Sequence, residues 1–297
     1  MGGGETYDAI RALPCWTGSV GIAPLQGGIT NRNYRVIDSE RRSYVVRIGR
    51  DIPEHGVMRF NELAAARAAH AAGISPEVVH AGEGLLVSRY VEGRTLAPED
   101  VRDVATLDRV AAIVRRCHQE IPRHLRGPAL VFWVFQVVRN YLGFLREHAA
   151  VAGDVPLEAL AERNARLERA VGPVDIVFGH NDLLAANLID DGERLWLIDW
   201  DYAGFNSPLF DLANVASNNG LAPGLEERLL RQYYGTTPDA AVRRGFLAMQ
   251  CASLLREGLW GAVSRHTSRI DFDYGAYAAD YLRRFEQRWR QFEVAHG

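Results

Sequence analysis

The stretch from Phe178 to Trp200, FGHNDLLAANLIDDGERLWLIDW, constrains this chain more than any other part of it. Asp182 and Asn187 stand five positions apart, and Asp199 follows twelve residues after Asn187. The apolar run Leu195 to Ile198 predicts a strand ending at Asp199, and Ile176 to Phe178 predicts a second short strand ahead of the loop. Strand, loop, hairpin and then an acid would bring three oxygen-bearing side chains from two loops to one place. Those residue types suit phosphoryl transfer, which needs an oriented hydroxyl, a metal that bridges phosphate oxygens and little covalent help from the protein. A carboxylate at Asp182 can accept or orient the proton of an acceptor hydroxyl. An amide oxygen at Asn187 and a carboxylate at Asp199 are the hard ligands that Mg2+ takes, with water and phosphate in its other positions. His180 is expected to support the loop. Asp182 alone would equally cap a turn; the acid placed directly after a predicted strand favours the functional reading.

The sequence contains no lysine, so all 34 of its Lys and Arg positions are arginine. Any phosphate clamp must therefore be an arginine. Arg47, in the predicted strand Ser43 to Ile48, occupies the place where a protein kinase carries its strand lysine. A guanidinium can hold phosphate in bidentate fashion. Glu62, in the predicted helix Arg59 to Ala72, is the expected partner of Arg47; the alternative is an ordinary edge-strand arginine and a surface glutamate. Ahead of them, LQGGITNRNYRV (Leu25 to Val36) predicts a β-hairpin. Its turn offers Gly28, where backbone can approach a phosphate closely, and Thr30 and Asn31 as further donors. Gly-Gly is common in hairpins, so its place before Arg47 is what marks it as a nucleotide loop.

A chain of 297 residues with 47% hydrophobic content is long enough for two lobes sharing a cleft. Its net charge of -3 argues against a nucleic-acid or anionic-membrane partner, which selects a strongly basic face. Cys15, Cys117 and Cys251 lie far apart without metal-ligand spacing, which predicts a reducing, cytoplasmic setting. No apolar stretch approaches the ~20 residues of a membrane span, and no basic and apolar leader opens the sequence. The start MGGGET matches a myristoylation pattern, although three glycines more simply make a loose terminus. Oligomeric state has no signature in the sequence.

Residues 1–90 alternate predicted strands with one helix, and the strand Gly84 to Val91 leads into a hinge. Residues 91–297 are predicted mainly helical, over 98–119, 132–148, 156–171, 208–217, 224–234, 238–266 and 274–295. The expected fold is α+β and two-lobed: a small β-rich N-terminal lobe for nucleotide, and a larger helical C-terminal lobe for catalysis and acceptor, with ATP between them.

From about Leu25 to Tyr281 the chain resembles the choline/ethanolamine kinases, within the aminoglycoside-phosphotransferase and protein-kinase-like group. LQGGITNRNYRV is similar to the family's nucleotide loop, VVRIG to its phosphate-clamp strand, and HNDLLAAN to its catalytic loop. IDWDYAGFNSPLFDLAN is similar to its metal-and-substrate segment. The resemblance implies an ATP- and Mg2+-dependent kinase that phosphorylates the hydroxyl of a small cationic amino alcohol, choline first and ethanolamine next. It nominates Tyr202, Trp260, Phe272 and Tyr277 as an aromatic cage for the ammonium, each cation–π contact contributing about 0.5–2 kcal/mol. Aromatics at helical spacing equally fill a core, Phe272 and Tyr277 above all. Glu257 stands where eukaryotic members present a second cage tryptophan, and Asn218 where they carry a glutamate. Either Glu257 supplies the carboxylate that Asn218 lacks, or the pocket favours a primary ammonium such as ethanolamine. The remaining alternatives are a thiamine, aminoglycoside or homoserine kinase of the same fold, and a catalytically silent protein that binds a cation.

Overall fold

Alternation along Arg32–Ile37 and Ser43–Ile48 puts Tyr34, Val36, Tyr44 and Val46 on one face, and in the computed structural model, which describes residues 3–25 and 31–296, that face is buried. The sheet comprises β1 (Gly21–Leu25), β2 (Arg32–Ile37), β3 (Ser43–Ile48), β4 (Val78–Gly82) and β5 (Leu85–Arg89), all antiparallel in the order β1-β2-β3-β5-β4. Arg47 is thus on a central strand, with Asn33 and Leu86 as its cross-strand neighbours, and not on an edge. The loose N-terminus expected from the glycines is instead helical from Gly3: α1 (Gly3–Arg11) buries Ile10 completely and sets Tyr7 edge-on to Tyr34 at 5.7 Å. Tyr7, Leu13 and Trp16 join Ile10 in covering this face of the sheet, Trp16 lying 4.9 Å from Tyr44. Between β3 and β4 a 3-10 turn, Pro53–His55, leads into α2 (Arg59–Ala71), which carries Glu62.

Past β5 the chain becomes mostly helical: α3 (Pro98–Val101), α4 (Val104–His124), α5 (Val134–Glu147), α6 (Leu157–Val171), α7 (Pro208–Asn219), α8 (Pro223–Tyr234), α9 (Ala240–Thr267) and α10 (Tyr274–His296). Helix α9 is buried along most of its length, with α5, α6, α7 and α10 packed around it. Among the described residues no helix is long and apolar enough to cross a membrane.

The diagnostic stretch carries three very short strands, β7 (Val177–Gly179), β8 (Leu188–Asp190) and β9 (Leu195–Leu197), which pair with two more, β6 (Arg94–Thr95) and β10 (Gly204–Asn206). β7 pairs with β10, while β8 lies between β6 and β9. β7 and β9, from which the loop and the turn of the site leave, are therefore each anchored by one paired strand.

Candidate active site

The loop His180–Asn187 is held by side chains from α7. Asp211 accepts the backbone N–H of His180 and of Asn181, both at 2.8 Å, and lies 2.9 Å from His118 Nε2. Asn181 adopts a left-handed conformation at φ 66°, and its amide donates to the carbonyls of Tyr202 (2.9 Å) and Gly204 (3.2 Å). His180 is fully buried, with Nε2 2.9 Å from the Ile198 carbonyl; burial lowers its pKa and keeps the ring neutral. These bonds leave Asp182 little freedom.

Asn187 Nδ2 donates to the Asp182 carbonyl at 2.8 Å and lies 3.3 Å from Asp182 Oδ2. That use of the nitrogen turns Oδ1 away, where a hard cation can take it. The Ile198 N–H bonds to the Asn187 carbonyl at 3.0 Å, tying the loop to the residue before Asp199. Asp199, at φ 68°, leaves the strand line in the left-handed region and extends its carboxylate towards Arg47, Oδ1 to Nη2 2.6 Å. Asn187 and Asp199 line one open cleft with Arg47, while Val45, Leu86 and Ile198 supply apolar walls. Such a mixture of apolar faces and a few polar groups suits a base-plus-phosphate ligand.

Arg47 is the centre of an ion network. It pairs with Glu62 and with Asp201 Oδ1 at 2.7 Å, as well as with Asp199. Arg59 Nη1 reaches Glu62 Oε2 at 2.5 Å and Asp201 Oδ1 at 2.9 Å. Burial works against charge on Arg47, but Asp199, Asp201 and Glu62 together outweigh it and hold the guanidinium well above its ordinary pKa. Asp201 and Arg59 were not among the residues singled out from sequence. Asp201 had a signal, standing two positions after Asp199 in IDWD, where a strand-like period would place both carboxylates on one side. Of the expected nucleotide-loop residues, Gly28 and Thr30 lie outside the described residues, and Asn31 turns its amide to Asp201 Oδ2 at 2.9 Å.

On the other side of Asp182 the structure gathers Tyr202, Glu257, Trp260, Phe272 and Tyr277. Trp260 Nε1 donates to the Tyr202 hydroxyl at 2.8 Å, and the Tyr277 hydroxyl donates to Glu257 Oε2 at 2.9 Å. Tyr277 lies 5.5 Å from Trp260 and 5.8 Å from Phe272, centroid to centroid, with Phe272 at the exposed rim. Arg256, also unforeseen, is buried beside them and pairs with Glu257. Burial, with the nearby Glu257 charge, raises the Asp182 pKa above the usual carboxylate range, while Arg256 opposes the rise.

An amide and an acid on the wall of a cleft between a small sheet and a helical body, with a second acid against the amide, place the molecule with the kinase-like phosphotransferases that act on an alcohol group. More narrowly, the chain belongs to the choline/ethanolamine kinase family, whose sequence pattern matches residues 22–222. It is 28% identical over 312 residues to probable choline kinase 1 of Arabidopsis thaliana, covering 90% of this chain and 86% of that one. It is 27% identical over 292 residues to the probable ethanolamine kinase of the same plant, covering 86% and 76%. The structure of a choline/ethanolamine kinase family protein from Mesorhizobium loti superposes with a TM-score of 0.79 at 28% identity, covering 99% of this chain and 98% of that one.

Proposed function

We propose that this protein transfers the γ-phosphoryl group of ATP, with Mg2+, to the hydroxyl of choline or ethanolamine in the cytoplasm. The observation that carries the reading is that Asn187 and Asp199 share the cleft with Arg47, while Asn187 also lies against Asp182. The three cysteines are free, which suits a reducing compartment. Residues 1–90 would supply the nucleotide-binding lobe and residues 91–297 the catalytic and acceptor-binding lobe.

Asn187 Oδ1 and the Asp199 carboxylate are the residues that would hold Mg2+, and the donor set fits: one amide and one acid, leaving positions for phosphate oxygens and water. When bound, the ion supplies positive charge to the phosphate oxygens. Arg47, held by Glu62 and Asp201, presents a fixed guanidinium to the same phosphates. The bond from the γ-phosphorus to its bridging oxygen breaks, the bond to the acceptor oxygen forms, and ADP leaves. The acceptor's hydroxyl proton passes to Asp182, whose burial favours holding it.

Transfer of labelled phosphate from ATP to choline and ethanolamine tests the assignment directly, and removal of divalent metal by a chelator should abolish it. Asp182→Ala should lower kcat by about 10²- to 10⁴-fold while nucleotide binding, read by calorimetry, stays intact. Near-wild-type turnover in that variant would remove Asp182 from the chemistry.

A further inference from the structure

Arg256 stands in α9, 1% exposed, and its guanidinium lies 4.1 Å over the ring of Tyr202 and 5.7 Å from the Phe132 centroid. Its Nη1 is 3.9 Å from Asp182 Oδ1 and closer still to Glu257 Oε1. The acceptor must put its hydroxyl at Asp182, so its nitrogen falls among Arg256, Glu257 and the rings around them.

Those rings already have company. The face of Tyr202 is taken by Arg256. Trp260 is flanked by His55 at 5.5 Å, Tyr274 at 5.7 Å and Tyr277 at 5.5 Å, and spends its N–H on Tyr202. A quaternary ammonium has no N–H and depends on free ring faces. A primary ammonium has three donors and is satisfied by carboxylate oxygens. Two carboxyl groups are at hand, Asp182 and Glu257, and the second is oriented twice, by Arg256 on Oε1 and by the Tyr277 hydroxyl on Oε2.

We propose that Arg256 is a specificity-determining residue of this site: by covering the ring of Tyr202 and orienting Glu257, it makes the acceptor pocket select a primary ammonium alcohol over its quaternary counterpart. The inference rests on the amino-alcohol kinase reading above and deepens it. Arg256 acts through Tyr202 and Glu257, as a positioning residue.

The test measures kcat/KM with Mg2+ and ATP across ethanolamine, its N-methyl and N,N-dimethyl derivatives, and choline. We expect a fall with each added methyl, reaching tenfold or more at choline; a flat or rising series overturns the proposal. Arg256→Met, which removes the charge while keeping length, should narrow the ethanolamine-to-choline ratio mainly through a lower KM for choline. A folded variant with the wild-type ratio overturns the role of Arg256. If that variant does not fold, Glu257→Gln replaces it: the KM for ethanolamine should rise at least tenfold more than that for choline, and an equal rise overturns the proposal. Phosphorylation of none of the four alcohols by folded, nucleotide-binding enzyme would strike the proposed function itself, an outcome distinct from a wrong order within the series.

Discussion

Asp201 shows how much of the site depends on one side chain that no motif names. Its buried carboxylate accepts from Arg47, Arg59 and Asn31, and the two arginines lower its pKa against the opposing effect of burial. Breaking a buried ion pair by removing one partner costs about 3–5 kcal/mol, because the remaining charge stays desolvated. Asp201→Asn should therefore lose about that much stability in urea unfolding, and Arg47 should bind Asp199 more tightly, raising the Mg2+ concentration needed for half-maximal activity. A loss below about 1 kcal/mol, the level of an exposed pair, would show that Arg59 and Arg47 do not need it. At this scale spacing and chemistry in the sequence nominated Asp182, Asn187 and Asp199, and the structure sets Asn187 against Asp182 and in one cleft with Asp199. The sequence was silent on Arg59 and Arg256, because an arginine among 34 carries no mark of which will be buried.

Helices were the most legible elements, since α5, α6 and α8 bury one stripe of periodic apolar residues and expose the rest. The strands β6, β8 and β10 were not, because two or three residues are too few to show a period. Helix α9 depends on close approach to α10. A Cβ on Gly258 would come within 2.7 Å of Leu282 Cγ and 3.2 Å of the Leu282 backbone nitrogen. Gly258→Val gains a few tenths of a kcal/mol in helix propensity, but overpacking of this kind costs about 1–3 kcal/mol. A lowered Tm is the expected net result, accompanied by a raised KM for the acceptor, since Glu257 and Trp260 flank the displaced turn. An unchanged Tm would mean that α10 yields at no cost.

At the scale of the molecule, His55 joins the region of the sheet to the helical body. From the 3-10 turn after β3 its Nδ1 meets the Tyr141 hydroxyl of α5 at 3.0 Å, and its Nε2 meets Ser264 Oγ of α9 at 3.0 Å. Burial, with Arg256 nearby, pushes its pKa down to about 3. The unfolded value is about 6.5, so the folded state binds the proton less well than the unfolded chain. The contribution is fully present above pH ~6.5 and is lost as pH falls towards 3, at up to about 1.4 kcal/mol per unit. Unfolding free energy measured from pH 7 to pH 5 should decline accordingly, and His55→Gln should flatten that decline. An identical slope in the variant would exclude His55 as its source.

The sequence by itself determined the fold class, most of the helices and the acid–amide–acid spacing, because periodicity and short spacings are local properties of a chain. Tertiary structure alone decided which arginines are buried, how Arg47 divides itself among three carboxylates and which charge covers Tyr202. Those pairings join residues such as Arg47 and Asp201, 154 positions apart, and only packing sets the desolvation that makes each pairing matter.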